Sequence, residues 1–200
     1  MVAMSKVGIC NLAISLTGSK SSIQSLTEAS AEAGYCNQWY DTARKEALES
    51  FDWGFARRRI TLASHADDPP DNWGYRYQHP SDCIAMREIV NPGGDEADAI
   101  PFLVEADSTL QSLCILTDVD DAEAKYTFDQ QTVGIFPSEF NMALAYFLAS
   151  KMCLQLTGKR VLVEHLIAMA SAQGAKAAAN RANEEKEDKP RDTDWIRARS

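Results

Sequence analysis

Three histidines and five cysteines are the residues best suited to nucleophilic or metal chemistry. The histidines are His65, His79 and His165, and the cysteines are Cys10, Cys36, Cys83, Cys114 and Cys153. A zinc ribbon or a disulfide framework needs paired, closely spaced thiols. These cysteines are far apart and odd in number, with no CxxC, so the expectation is five reduced thiols buried as small hydrophobes. The histidines lie far from one another and from the cysteines. His165 falls on the apolar face of a C-terminal helical segment, where a hydrogen-bonded core histidine is the expected role.

Asp118-Val119-Asp120-Asp121-Ala122-Glu123 has a faint calcium-loop look. An EF-hand needs glycine at its sixth position and glutamate at its twelfth, which here are Glu123 and Asp129. A solvated hairpin turn is the expectation. Arg57-Arg58-Arg59 is the densest basic run. On a strand Arg58 points away from the other two, so the run makes no flat phosphate-binding stripe. It fits a solvated edge, ion pairs with nearby acids, or contact with an acidic neighbouring subunit. The chain has no G-x-S-x-G, no Walker loop, no G-x-G-x-x-G and no H-E-x-x-H. The expectation is therefore no catalytic residue, no cofactor and no metal.

The elements that carry these residues follow from hydrophobic periodicity. Val7, Ile9, Cys10, Ala13, Ile14 and Leu16 predict a helix over 6–16, ended by Gly18. Ala33, Cys36, Tyr40, Ala43, Ala47 and Phe51 predict a second from about Thr27 to Ser50, with Glu28 and Glu32 in its early turns. Phe51-Asp52-Trp53-Gly54-Phe55 closes it, and Trp53 and Phe55 are expected to be buried there. Strands are predicted over 57–63, 83–90, 102–105, 113–117 and 123–128. Residues 64–82, with Trp73, Tyr75 and Tyr77, read as an ordered loop, and Asn91-Pro92-Gly93-Gly94 as a strand stop. Helices return over 138–157 and 159–187, the latter with Val161, Leu162, His165, Leu166 and Met169 as its packed half. This order predicts an α+β fold: an antiparallel bundle of about four helices with a small antiparallel β module inserted. The expected units are residues 1–55 plus 137–187 as the bundle, 56–136 as the β module and 188–200 as a C-terminal arm.

At 200 residues the chain can bury a core without staples. Its net charge of −9 repels phosphate, which argues against broad, sequence-independent binding of nucleic acid. No stretch reaches the about 18 consecutive apolar residues of a membrane span. Residues 1–16 lack the shape of a signal peptide, so a protein made and kept in a cytoplasm is expected.

Three stretches resemble the tail tubular protein A family, the head-to-tail adaptors of short-tailed phages. The first is Asn11-Leu12-Ala13-Ile14-Ser15-Leu16-Thr17-Gly18 with Ile23-Gln24-Ser25-Leu26. The second is Tyr40-Asp41-Thr42-Ala43-Arg44 with Leu48 and Trp53-Gly54-Phe55-Ala56. The third is Tyr75-Arg76-Tyr77-Gln78-His79-Pro80-Ser81-Asp82-Cys83, and Asp194-Trp195-Ile196-Arg197-Ala198-Arg199 is similar to the family's C-terminal end. The loop at 67–72 and the Glu/Lys-rich end of the last helix match no family feature.

The resemblance implies a virion protein without enzymatic activity, assembled in the host cytoplasm. Its copies, usually twelve, form a ring at the head–tail junction between the portal protein and the tail nozzle protein. DNA passes through the channel without sequence-specific binding. Two other readings compete with it. One is a small helical enzyme with dispersed site residues, which needs a pocket of convergent polar groups. The other is a partner-binding regulatory or chaperone-like protein.

Five residues are candidates for partner contact. Trp73 leads an aromatic run in a loop, and such rings are enriched at interface hot spots; the same rings could instead cover the β module's own core. Trp195, Ile196, Arg197 and Arg199 end an arm that follows an Ala-rich, then charged, helical segment. The arm is expected to hook onto the portal or an adjacent copy, with Trp195 as apolar anchor and the arginines meeting acids. Deleting residues 189–200 is expected to leave the thermal unfolding midpoint unchanged and to abolish ring assembly on the portal, read by electron microscopy. Rings formed by the truncated chain would refute the hook.

Overall fold

The computed structural model describes residues 4–90, 99–107 and 112–184, with side chains described as far as residue 177. Four helices form where the apolar spacing of three and four recurs. They are α1 (Lys6–Leu16), α2 (Ala31–Ser50), α3 (Ser138–Thr157) and α4 (Arg160–Glu184). Ser5 caps α1 by accepting the Gly8 N–H at 3.0 Å, and Ser30 caps α2 by accepting that of Ala33. The second helix thus begins later than the periodicity predicts. Glu28 sits before it and not in its first turn. Its carboxylate accepts the Gln24 and Ser25 backbone N–H groups and the Ser30 hydroxyl, and so shapes the approach to the cap. Gly158, in the left-handed region at φ 67°, turns α3 into α4.

The strands lie between α2 and α3 in sequence: β1 (Arg57–Thr61), β2 (Tyr75–Gln78), β3 (Cys83–Ile89), β4 (Phe102–Ala106), β5 (Leu113–Thr117) and β6 (Glu123–Phe128). They form two antiparallel three-stranded sheets, ordered β1-β6-β3 and β2-β5-β4. The fold is α+β. Two expectations are corrected here. Tyr75–Gln78 is a strand inside the stretch read as loop, because its backbone pairs with β5 from Tyr75↔Thr117 to Gln78↔Cys114. Four residues are too few for an alternation to stand out among aromatics. Residues 118–122 are likewise not a hairpin turn, since β5 and β6 belong to different sheets. This turn carries the chain across from one sheet to the other.

The two sheets are joined at a corner. Just after β1, Ser64 bridges to Tyr77, His65 donates its N–H to Arg76 and Gln78 donates to Ala63. The chain leaving β1 therefore pairs first with β6 and then with β2. Leu62, Ile89 and Ala124 from one sheet meet Tyr77 and Ile115 from the other in a small core of their own.

The larger core lies in the bundle. Ile9, Cys10, Ala13 and Ile14 of α1 meet Cys36, Tyr40, Ala43, Ala47 and Leu48 of α2 and Phe140, Leu144, Leu148 and Met152 of α3. At its lower end Trp53 is buried among Phe51, Phe55 and Phe140, with Phe136 close to the last two, at centroid separations of 4.7–6.2 Å. Its indole N–H donates to the Ala47 carbonyl at 2.7 Å. Trp53 is thus buried as expected, while Phe55 is half-buried.

The buried row of α4 keeps Leu162, Leu166 and Met169 of the predicted set but not Val161 and His165. Leu166, Ala170 and Gly174 face inward with Leu162 and Val163 partly covered, whereas Val161 is 86% exposed and His165 is exposed. A one-residue step rotates a helix by about 100°. The turn at Gly158 sets a phase in which the row through Leu162 is inside and the row through Val161 and His165 is outside. His165 is therefore a surface residue and not a core one. A Cβ built on Gly174 would fall 1.9 Å from the Phe51 ring, so α4 can lie on the end of α2 only without a side chain there. Gly174→Ala is expected to lower stability by about 1–3 kcal/mol despite alanine's better helix propensity. Combining it with Phe51→Ala is expected to cost less than the sum of the two single changes. Chemical denaturation of the four proteins checks this, and strict additivity would contradict the contact.

Candidate functional site

The arrangement begins with two irregularities in β3. Its register against β6 shifts between Cys83 and Ala85 and again between Met86 and Glu88, which leaves Ile84 and Arg87 without a cross-strand partner. Bulged residues can be aimed off the regular alternation. Here both turn toward the helices. Ile84 packs on the bundle core. Arg87 donates through Nη2 to the carbonyls of Leu48 (3.1 Å), Glu49 (2.9 Å) and Phe51 (2.9 Å) and through Nε to the Thr127 hydroxyl. These carbonyls end α2, where the dipole is negative and no basic residue of the helix itself stands in the last turn. Burial pushes the guanidinium pKa down, opposed by the charges of Asp52, Cys83 and Glu49.

A second polar contact fixes the same joint, and a third braces the sheet that carries it. Arg44 of α2, 3% exposed, pairs with Asp129 just after β6 and donates to the Gln130 carbonyl at 3.0 Å. Burial alone raises the Asp129 carboxyl pKa, but the hydrogen bond and charge of Arg44 outweigh it and hold it below the usual carboxylate range. Asp82, before β3, accepts the Tyr126 hydroxyl at 3.0 Å and pairs with Arg58. The basic run on β1 is thereby absorbed within the chain: Arg57 pairs with Asp52, Arg58 with Asp82 and over the Phe128 ring, and Arg59 with Glu123.

One face of the β2-β5-β4 sheet carries a set of titratable groups. The Arg76 side chain, 11% exposed, lies 3.6 Å from Asp67 and 3.7 Å from Glu105. Because β5 runs between β2 and β4, the guanidinium must cross over β5 to reach Glu105, which covers Leu116 and Cys114. His65 accepts the Asp67 N–H through Nδ1 at 3.1 Å. Among the described residues no serine, threonine or cysteine is hydrogen-bonded to a histidine. His79 is kept toward its neutral form by burial. Among the described residues, no group of three or more His, Cys, Asp or Glu could hold a metal ion.

The turn at 118–122 and the loop before β2 meet at one end of the module. The Tyr77 hydroxyl donates to the Val119 carbonyl at 2.8 Å and accepts the Ala122 N–H at 3.3 Å. Asp118 accepts the Gly74 N–H at 2.8 Å, Asp120 accepts that of Asp121, and Asp121 takes the left-handed φ of 47° that aspartate tolerates. These carboxylates serve the backbone of the turn. Next to this turn stands Trp73, half-buried and packed into neither core, on the loop that holds Asp67, Asp68 and Asp71. Tyr77 is buried, whereas Tyr75, stacked on it at 6.3 Å, is 37% exposed. The loop that carries this half-buried indole and the turn beside it are rich in aspartate.

Of the predicted contact residues, only Trp73 can be placed; Trp195, Ile196, Arg197 and Arg199 lie outside the described residues, as does the strand stop at 91–94. Sequence reasoning missed Arg87, whose one visible sign is an arginine inside an otherwise largely apolar strand. No helix among the described residues is long and apolar enough to cross a membrane. No protein-family model matches the chain, and no curated protein matches it. Arg87→Met is expected to destabilise the protein by about 2–4 kcal/mol, since three helix-end carbonyls lose a charged donor together. Arg87→Lys should recover only part of that, because an ammonium lacks the planar fork. Denaturant unfolding of both variants checks it; a loss under 0.5 kcal/mol for Arg87→Met would show the clamp to be dispensable.

Proposed function

We propose that this chain is a structural, non-enzymatic virion protein: a head-to-tail adaptor whose copies form a ring between portal and tail nozzle. The observation that carries the reading is where the resembling stretches fall in the fold. Asn11 brackets Ile23 by accepting its N–H at 2.8 Å and donating to its carbonyl at 2.9 Å. Arg44 holds the exit of β6, Trp53 centres the aromatic cluster, and Asp82 gathers Tyr126 and Arg58. Each is a joint in one framework, and none is arranged as a reactive group. A protein selected to transmit load and hold partners in register needs such joints.

A rigid bundle and a distinct β module clamped to it suit a subunit that meets one partner with each part. On this reading the loop with Trp73 faces the nozzle side and takes a basic partner surface, because its aspartates supply charge complementarity and the half-buried indole an apolar anchor. The net charge keeps the wall of a channel from retaining DNA.

Mixing the purified chain with the portal protein of a short-tailed phage, and imaging the product, tests this. The expected outcome is a ring of adaptor copies, twelve on a twelve-fold portal, seated on one portal face. Trp73→Ala is expected to leave that ring intact while weakening subsequent nozzle attachment by at least tenfold. Failure to bind the portal, with a monomer that turns over a substrate, would restore the enzyme reading.

A further inference from the structure

Among the described strands, β4 alone has an edge that nothing blunts. It pairs with β5 only, in an unbroken register from Phe102↔Thr117 to Ala106↔Leu113. Just past that ladder the Asp107 N–H donates to the Ser112 carbonyl at 2.9 Å. Backbone groups alternate in direction along a strand. Leu103 and Glu105 therefore also bond to β5, and the N–H and C=O groups of Phe102, Val104 and Ala106 point the other way. Among the described residues nothing bonds to them. An open edge of this kind templates another strand, and natural sheets guard against it with bulges, basic residues or proline. The other described edges are guarded. Strand β3 is bulged twice, while β1 carries Arg57, Arg58 and Arg59 and passes on to pair with β2. Strand β4 has no bulge, no basic residue and no proline.

We propose that the C-terminal arm of an adjacent copy completes this edge, with residues 195–199 adding as a strand parallel to residues 103–107. The inference rests on the ring proposed for the adaptor and names where the arm is received. Residues 195–199 lie outside the described residues. Their order, Trp195-Ile196-Arg197-Ala198-Arg199, puts large and basic side chains on one face of an extended strand and Ile196 and Ala198 on the other. The edge has matching faces. On the outer one stand Leu103, 45% exposed, and Glu105, whose carboxylate lies 3.7 Å from Arg76 and is 39% exposed. In parallel register Trp195 comes beside Leu103 and Arg197 beside Glu105. On the inner face Phe102 and Val104 are only partly buried against the module's small core. There Ile196 comes beside Val104 and Ala198 beside Ala106, which extends that core. An antiparallel arm cannot serve both outer positions, because Arg197 at Glu105 then brings Arg199 to Leu103 in place of Trp195.

Backbone bonds supply the affinity of an added strand, and alternate side chains supply its specificity. In the parallel pair the Val104 N–H donates to the Trp195 carbonyl, and the Val104 carbonyl accepts the Arg197 N–H. Ala106 bonds in the same way to Arg197 and Arg199. The arm's N–H groups at Trp195 and Arg197 therefore face β4, whereas those of Ile196 and Ala198 face away from it. The fold favours a neighbour's arm over the chain's own. Helix α4, from which the arm leaves, packs on α3 and α2, and the bundle meets the module mainly through β3 and β6. The sheet that ends in β4 is the one the helices do not carry.

The test titrates the full chain, dye-labelled and held at nanomolar concentration, with a synthetic peptide of residues 189–200. Saturable binding is expected, with hydrogen exchange of the Val104 and Ala106 amides slowed about tenfold at saturation. N-methylation of the peptide at Trp195 and Arg197 should abolish binding, and at Ile196 and Ala198 should leave it within about threefold. Glu105→Lys should weaken the native peptide about tenfold and be rescued by a peptide carrying Arg197→Glu. A chain that had merely failed to fold could not be rescued. Sedimentation of the unlabelled full chain above the peptide's dissociation constant should show copies associating. No peptide binding, any other N-methylation pattern, no charge-swap rescue, or a chain that stays monomeric well above that constant would each overturn the proposal. All of these are read without a portal. A ring on the portal with no peptide binding would sink this inference alone, and peptide binding with no ring would sink the adaptor reading alone.

Discussion

The structure depends on one guanidinium. Arg87 stands on a strand of the β module, yet its donors go to the last carbonyls of a helix in the bundle. A helix end leaves about four carbonyls without intrahelical partners, and α2 ends in a sharp aromatic reversal at Phe51 and Trp53. Supplying those carbonyls from another module makes the helix terminus and the module joint the same interaction. The bulges in β3 are what permit it, because a regular strand would not send both Ile84 and Arg87 toward the helices.

Arg44 reinforces this joint by tying the exit of β6 to α2, and Asp82 braces the β1-β6-β3 sheet itself by tying the entry of β3 to Tyr126 and Arg58. Within the β module the same economy of polar contacts recurs. One hydroxyl, that of Tyr77, holds both a carbonyl and an N–H of the turn that passes between the sheets. Charged and polar residues here fix geometry, and apolar burial in the two cores supplies the stabilisation.

Much of the fold was legible in the sequence. Residues 6–16 and 138–157 carry an apolar face and glycine stops, and those helices form with those bounds. Two of the five strands read from the sequence, 113–117 and 123–128, also keep their bounds, and the other three do so to within two residues. Periodicity is a local property, so a local reading recovers it. The phase of α4 was not legible, because a turn of one residue more or less rotates Val161 and His165 out and Leu162 and Leu166 in. The partition of strands into two sheets was hidden for a similar reason: pairing is chosen by contacts between residues tens of positions apart. The same holds for the site residues. Asn11, Arg44, Trp53 and Asp82 stand in recognisable stretches, whereas Arg87 at the helix end and Gly174 against Phe51 acquire meaning only when distant segments are brought together. Spacing along a chain reports which face a residue takes. What stands opposite that face is decided by how helices and sheets pack, and this the tertiary structure alone determines.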